Sequence, residues 1–509
     1  MIKRFSTFVL ASMLALPITA AANGDSGGPG VSELELKIEE LSRQLAELRA
    51  AVDEQRALNE DQEEFLDEID EKTEDWDLAA RFKFYGDFRS RLDYYNADTV
   101  FGRNLENDTL WTNRFRLNLR VNATENVEFK GRLAMYKAWG MQSAFTDDSG
   151  AMWPVFDGNV TRTPAEDSSL YVDRAIVNWN NIAGLPMWFS IGRRPTTDGP
   201  PAEIRLGLDE RQGTPMAFMN WPFDGLVLGY AWSWGAEQMG TSRVRFCYGR
   251  GFEDGLQADS ADSVDDKDFA GLAWDIMKKG DRFAYIQSFM GFDITNYPNF
   301  QSEFVEFGVQ QDPIMDPTDP NYPGGFGPRK NLGNVWHSSA VYQDKVSDLN
   351  YFIAGGYSQT IPDSEGMFFF DGTPSTDNED GYSIYAGVRY DLDEIGLKLG
   401  GEFNWGSQYW LAMSPGHDEI YQSKLATRGQ VYEVYLIYDL PTGEALSKYA
   451  KTFMRLGYQH YEYDYSGSGD WNLYPFDLDD AGDLAMLQAF GQDPVESADQ
   501  IYLTFEAYF

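Results

Sequence analysis

The chain has 509 residues, enough for a long helix plus one large barrel or for two or three soluble domains. Its net charge of −40 excludes a nucleic-acid partner, because a phosphate backbone needs a basic face. One cysteine, Cys247, and three histidines, His337, His417 and His460, exclude a disulfide framework, a Cys-rich zinc site and a haem attachment motif.

Residues 1–22 read as a signal peptide. Lys3 and Arg4 give a positive start, Phe8 to Leu16 form a short apolar run, and Pro17 breaks it. Ala20, Ala21 and Ala22 offer a small-residue cleavage site. The run is too short to span a bilayer as a helix, and no later stretch has the ~18 apolar residues a membrane helix requires. Any span is therefore expected to be made of strands.

A linker follows at 23–30, then a heptad pattern over 31–78. Leu34, Leu41 and Leu48 fall at d positions, and Ile38, Leu45 and Val52 at a positions. The register continues through Gln55, Asn59 and Gln62 to Leu66, Ile69, Thr73 and Trp76. This spacing predicts an α-helical coiled coil. An exposed Leu/Ile stripe on a monomer would be a liability, so the heptads imply a homo-oligomer.

The period changes from 3.5 to 2 near Arg81, opening a barrel over 79–509. Phe82, Phe84, Phe88, Leu92 and Tyr94 alternate with charged residues, as do Phe115, Leu117, Leu119 and Val121. After a turn at Thr124 and Glu125, Val127, Phe129, Leu133 and Met135 continue the pattern. These runs reach roughly a dozen residues, the length a tilted membrane strand needs. Further strands are predicted to begin near Ser168, Pro186, Asp224, Ser242, Asp268, Arg282, Gly333, Asp348, Gly381, Ile395, Gly429, Ala450 and Asp499. The fold class is thus an all-β transmembrane β-barrel of about 16 antiparallel strands behind a coiled coil. A count of 18 stays open, since the loops at 295–332 and 464–498 have room for a hairpin.

Connections alternate in length. Thr124-Glu125, 278–281, 344–347 and Asp393-Glu394 are short; 95–109, 140–167, 195–223, 253–266, 295–332, 360–379, 406–426 and 464–498 are long. Short turns on one side and long outer loops on the other are the outer-membrane pattern. That pattern predicts a Gram-negative outer membrane, with the coiled coil in the periplasm and membrane lipid around the barrel. Ile501, Leu503, Phe505, Ala507 and the final Phe509 occupy every second position. This ending resembles the assembly signal of outer-membrane barrels and implies the barrel assembly machinery as a partner, with Phe505 and Phe509 as its recognised residues.

On these features the chain resembles a bacterial outer-membrane porin. More narrowly, it resembles an uncharacterised porin-like family with an N-terminal coiled coil. The segments LWTNRFRLNLRVNATENVEFKGRLAMYKAWG, Leu110 to Gly140, and IGRRPTTDGPPAEIR, Ile191 to Arg205, carry that narrower resemblance. The porin class implies passive diffusion of small hydrophilic solutes or ions and a trimer, with a trimeric zipper in the periplasm. It also implies that the third long loop folds inward as a constriction. Here that loop holds Asp198, Glu203, Arg205, Asp209 and Glu210.

A barrel of this size is expected to leave an aqueous channel. Arg89, Arg91, Arg114, Arg116, Arg120, Lys130, Arg132 and Arg194 fall on the polar phase and are the predicted pore-lining cations; Arg174 extends the set. Opposite acidic loop residues, such a ladder would set up a transverse field that sorts solutes by charge. The alternative is that these cations pair with Asp87, Asp93 and Glu128 and only solvate the wall. No cofactor is expected. The acidic outer loops, with Glu253, Asp254, Asp259, Asp262, Asp265, Asp266 and Asp268 in one of them and 312–319 in another, have the oxygen ligands that divalent cations take. No histidine has a nucleophile motif beside it, so the chain is not expected to be an enzyme. A barrel enzyme and a structural tether are the competing functions.

Overall fold

The computed structural model describes residues 40, 43, 45, 81–139, 170–194, 199–208, 213, 217–219, 223–236, 238–253, 265–295, 330–370, 373–414, 423–445, 447 and 449–509. The chain divides into two units, Met1–Asp75 and Trp76–Phe509. In the first, Glu40, Arg43 and Leu45 are helical. The signal peptide, the linker and the rest of the heptad segment lie outside the described residues.

The second unit is a closed antiparallel barrel of 16 strands. In chain order they are β1 (Phe82–Thr99), β2 (Asn104–Asn122), β3 (Val127–Ala138), β4 (Tyr171–Trp179), β5 (Met187–Arg194), β6 (Phe223–Ser233), β7 (Thr241–Phe252), β8 (Lys267–Lys279), β9 (Arg282–Thr295), β10 (Asn331–Val346) and β11 (Leu349–Pro362), followed, after a small hairpin outside the barrel, β12 (Met367–Phe370) and β13 (Thr373–Ser375), by β14 (Asp380–Leu392), β15 (Leu397–Gly406), β16 (Gly429–Asp439), β17 (Lys451–Tyr463) and β18 (Val495–Tyr508). Each barrel strand pairs with its neighbours in sequence, and β1 pairs with β18, Leu92 opposite Leu503, to close the ring. The N–H groups of Gly86 and Phe509 donate to each other's carbonyls at 2.8 and 3.0 Å, so the last residue completes the seam. The Phe509 ring also lies against Gly86, where a Cβ would stand 2.8 Å from it.

Two details differ from the sequence reading. The segment 95–109 is not a long loop: β1 and β2 run through most of it and turn at 100–103. The connection at 464–494 carries a short helix, Ala481–Ala489, capped by Asp480, whose side chain accepts from the amides of Gly482 and Asp483, rather than a hairpin.

Alternation decides what faces out. Phe84, Ile353, Val434 and Leu456 are 50–64% exposed on the outer surface. So wide an apolar surface needs lipid around it, since soluble proteins rarely leave such patches open. Aromatic residues bound this band. Trp336, Tyr357 and Tyr382 meet edge-on or tilted at the end carrying the long loops, and Tyr342 and Tyr351 meet tilted at the end carrying the short turns. This is the girdle arrangement of membrane barrels. Among the described residues no helix is long and apolar enough to cross a membrane.

Candidate functional site: the barrel lumen

The lumen holds chain where the strand number alone suggests an open channel. Three chain segments fold into it. The first follows β5 and contains a four-residue helix, α1 (Ala202–Arg205), in which every residue is buried. It crosses to the far wall. Gln343 of β10 donates to Glu203 Oε1 at 3.0 Å, Arg389 of β14 to the Ile204 carbonyl at 2.7 Å, Arg455 of β17 to the Arg205 carbonyl at 3.0 Å, and Lys451 of β17 to the Gly207 carbonyl at 2.7 Å. Apolar contacts reinforce the dock: Ala202, Leu206 and Leu208 pack on Tyr435, Ile437 and Phe453. A turn of helix exposes unpaired carbonyls at its end. Here three wall cations satisfy carbonyls of the segment.

The second segment follows β15. Trp410 donates from its indole to the Leu425 carbonyl at 2.7 Å, and Lys424 Nζ reaches Glu433 at 2.6 Å and also Glu402. The third follows β17 and is tied to the second by Arg428. That guanidinium is fully buried and donates to the carbonyls of Trp410, Ser466 and Asp470.

On the side of β6–β11 these segments rest on an apolar core. Val227, Cys247, Phe283, Tyr285, Phe289, Val341, Phe352 and Ala354 face inward and pack with Ala217, Phe218, Trp410 and Leu425. The Phe218 ring meets Trp410 edge-on, with centroids 5.2 Å apart. Trp410 in turn lies on Gly356, where any Cβ would stand 2.3 Å from the indole. The glycine is required by that close approach.

The other side is charged. Lumen residues of β1–β3 are Asp87, Arg89, Arg91 and Asp93, then Arg114, Arg116 and Arg120, then Glu128, Lys130 and Arg132, and the register places them in adjoining rows. Their pairing follows the alternative in which these cations bond carboxylates of their own wall. Arg91 bonds Asp93 at 2.9 Å; Arg114 and Arg116 share Asp87 at 3.2 and 2.8 Å; Arg120 and Lys130 share Glu128 at 2.6 and 2.7 Å; Arg132 bonds Asp173 at 2.5 Å. The carboxylates that face the ladder are thus on its own wall. A row of cations this dense is costly to bury without counter-charges. The ladder meets the first inward segment through Arg205, which bonds Glu433 at 2.7 Å and lies 5.5 Å from the Tyr502 ring, while Arg455 stands 3.2 Å from Glu506 and Arg114 3.9 Å from the same carboxylate.

The predicted site residues therefore fall into groups. Arg89, Arg91, Arg114, Arg116 and Arg132 face the lumen but are buried, and Arg120 and Lys130 keep 29% and 33% exposure. Arg194 is half-buried on β5. Glu203 and Arg205 are buried against the far wall. Asp198, Asp209 and Glu210 lie outside the described residues, as do Asp254, Asp259, Asp262 and 312–319. Phe505 is exposed on the outer face and Phe509 closes the seam. The second and third inward segments went unforeseen. Their signal is the load of large apolar residues, Trp410, Leu411, Leu425, Trp471 and Phe476, in stretches whose length alone reads as outer loops. Among the described residues no three metal-ligating side chains come together. His337 is buried beside Trp410, and His460 bonds Asp499 on the outer face at 2.8 Å. Beyond the membrane strands, burial, then Asp479, Glu462 and Asp477, push the Asp464 carboxyl above the usual range.

A closed 16-stranded barrel, apolar outside and charged along part of its interior, is the architecture of outer-membrane porins. The chain belongs to the family described as "Protein of unknown function (DUF3373)", whose model matches residues 104–509. No curated protein matches the sequence. Solved structures similar to it include OmpT of Vibrio cholerae, at 11% identity and a TM-score of 0.40, and the outer membrane channel DcaP of Acinetobacter baumannii, at 12% and 0.39; each match covers 84% of this chain and 97% of the other. OmpF of Salmonella typhi, solved with daunomycin, matches at 10% identity with the same coverage and a TM-score of 0.39.

Proposed function

We propose that the protein is an outer-membrane channel for passive diffusion of small hydrophilic solutes or ions, narrowed by the three inward segments. The observation that carries this reading is a ring of strands whose outer face suits lipid while a broad part of its inner face, along β14–β18 and β1–β3, is ionised. A barrel serving only as an anchor has no need to bury so many charges in its lumen, since ion pairs there are weak evidence for stability. The half-exposed Arg120 and Lys130, at the end with the short turns, mark a lumen mouth. No catalytic step is part of this function.

Purified full-length protein in a planar bilayer should give discrete conductance steps. Silence at protein amounts where a known porin conducts would overturn the reading. The heptads at 31–76 are proposed to hold a periplasmic trimer. Deleting them should lower the sedimentation coefficient of the detergent-solubilised protein, and an unchanged profile would remove the zipper from the account.

A further inference from the structure

Of three arginines on the lumen side of β5–β8, two share one carboxylate and the third has none among the described residues. Arg243 and Arg245 both bond Asp275, Arg245 Nη2 at 2.9 Å. Arg194 bonds no carboxylate among the described residues. Its Nη1 donates to Ser190 Oγ at 2.9 Å and its Nη2 to the Gly225 carbonyl at 3.3 Å. Arg194 Nε and Arg245 Nε are both buried, and neither has an acceptor. A buried donor without an acceptor carries the full cost of its lost hydration, which a native fold tolerates only for a reason.

The two groups flank Cys247. Val227 of β6 pairs with Ser190 on one side and Cys247 on the other. Arg194, by reaching back to Ser190, brings its guanidinium toward that row, and Arg245 is the next lumen residue after Cys247 on β7. The Cys247 thiol is within electrostatic reach of both guanidinium groups. Each has an aromatic ring beside it, Phe223 at 5.7 Å from Arg194 and Tyr285 at 5.7 Å from Arg245. Rings exclude water, so the surplus charge is poorly screened there. Arg194 is half-buried and the Arg243 side chain is 37% exposed, so both border the lumen water.

We propose that Arg194 and Arg245 form an oxyanion site in the lumen wall, taking a small carboxylate or inorganic phosphate; it rests on the channel reading for its route of access. An oxyanion supplies acceptors for both idle N–H groups in charge-assisted bonds and offsets the surplus charge. The planar guanidinium fork matches such a group better than an ammonium does.

The test is isothermal titration of the purified full-length protein with sodium phosphate and with sodium succinate, against sodium chloride. Binding of either oxyanion with a Kd on the order of 1 mM, and none of chloride, is expected. Whichever binds names the ligand class. Arg194→Gln and Arg245→Gln should each weaken binding at least ~10-fold, a loss of ~1.4 kcal/mol. Arg245→Lys keeps the charge and should also weaken it, which covers the case of a misfolded glutamine variant. Absence of binding to both oxyanions, or binding unchanged in folded variants at both positions, overturns the site. The same preparation in a planar bilayer separates the two ideas: conductance without oxyanion binding removes the site alone, and binding without conductance removes the channel alone.

Discussion

The two sides of the lumen are filled by opposite means. Along β6–β11 the inward face carries an apolar cluster of Val, Phe, Tyr and Ala, onto which Phe218 and Trp410 press as in a soluble core, with Arg243, Arg245 and Asp275 as an ionic group on the same strands. Along β14–β18 and β1–β3 the inward face is rich in Arg, Lys, Asp and Glu, and it holds the inward segments through ion pairs and peptide carbonyls beside one apolar contact at Tyr435, Ile437 and Phe453. The apolar side gains stability from burial, which is strong and non-directional. The charged side gains little net stability from its pairs but fixes where each partner sits.

The largest expected effect comes from Glu433, which accepts from Arg205, Lys424, Gln459 and Tyr502. Glu433→Ala leaves two buried cations without their shared carboxylate, and breaking such a pair costs ~3–5 kcal/mol. Thermal unfolding should shift accordingly, and protease should cleave within 199–208 where the wild type resists. If Glu433→Ala melts with the wild type, the ionic clamp contributes nothing.

Phe218→Ala tests the apolar side. Loss of a fully buried ring costs ~3–5 kcal/mol, at the low end where a loop can collapse into the gap. The segment should loosen while Arg205 stays paired, so the two variants should add nearly independently. Strong non-additivity in the double variant would show one cooperative plug rather than two anchors.

Neutralising Arg114 and Arg116 together leaves Asp87 buried without either partner. The reversal potential should move toward cations in dilute salt and much less in concentrated salt, because the Debye length at 0.15 M is ~8 Å. Stability should fall as well, since the ladder is buried. An unchanged reversal potential in dilute salt would make the ladder purely structural.

The smallest effect concerns pH. Asp464 has a folded pKa raised by burial and by Asp479, Glu462 and Asp477. Between its unfolded value near 3.8 and that raised value, the folded state holds more protons than the unfolded one. Stability of the cap beyond β17 should therefore rise as pH falls from neutral into that window. Asp464→Asn should remove this gain; hydrogen exchange at 464–478 that ignores both pH and the variant would contradict it.

Strand positions were legible because alternation is a period-2 signal repeated over a dozen residues, and the inward burial of Arg89, Arg114 and Val341 follows from phase alone. The interior was less legible. Phase says that Arg114 and Asp87 face the same way, but register decides that they touch. Trp410 and Arg428 sit in segments without periodicity, so only their composition hinted at burial. Arg245 and Asp275, thirty residues apart, became a pair only through the β7–β8 register.

Substituted-cysteine labelling tests the division of the lumen most directly. In a Cys247→Ser background, single variants Arg120→Cys and Lys130→Cys probe the charged side, and Val341→Cys and Ala354→Cys the apolar side. Arg120 and Lys130 are 29% and 33% exposed, whereas Val341 and Ala354 are 3% and 2%. A water-soluble thiosulfonate should label the first pair readily in the folded protein and leave the second unlabelled. Comparable labelling at all four positions would show a lumen open on both sides and contradict the account.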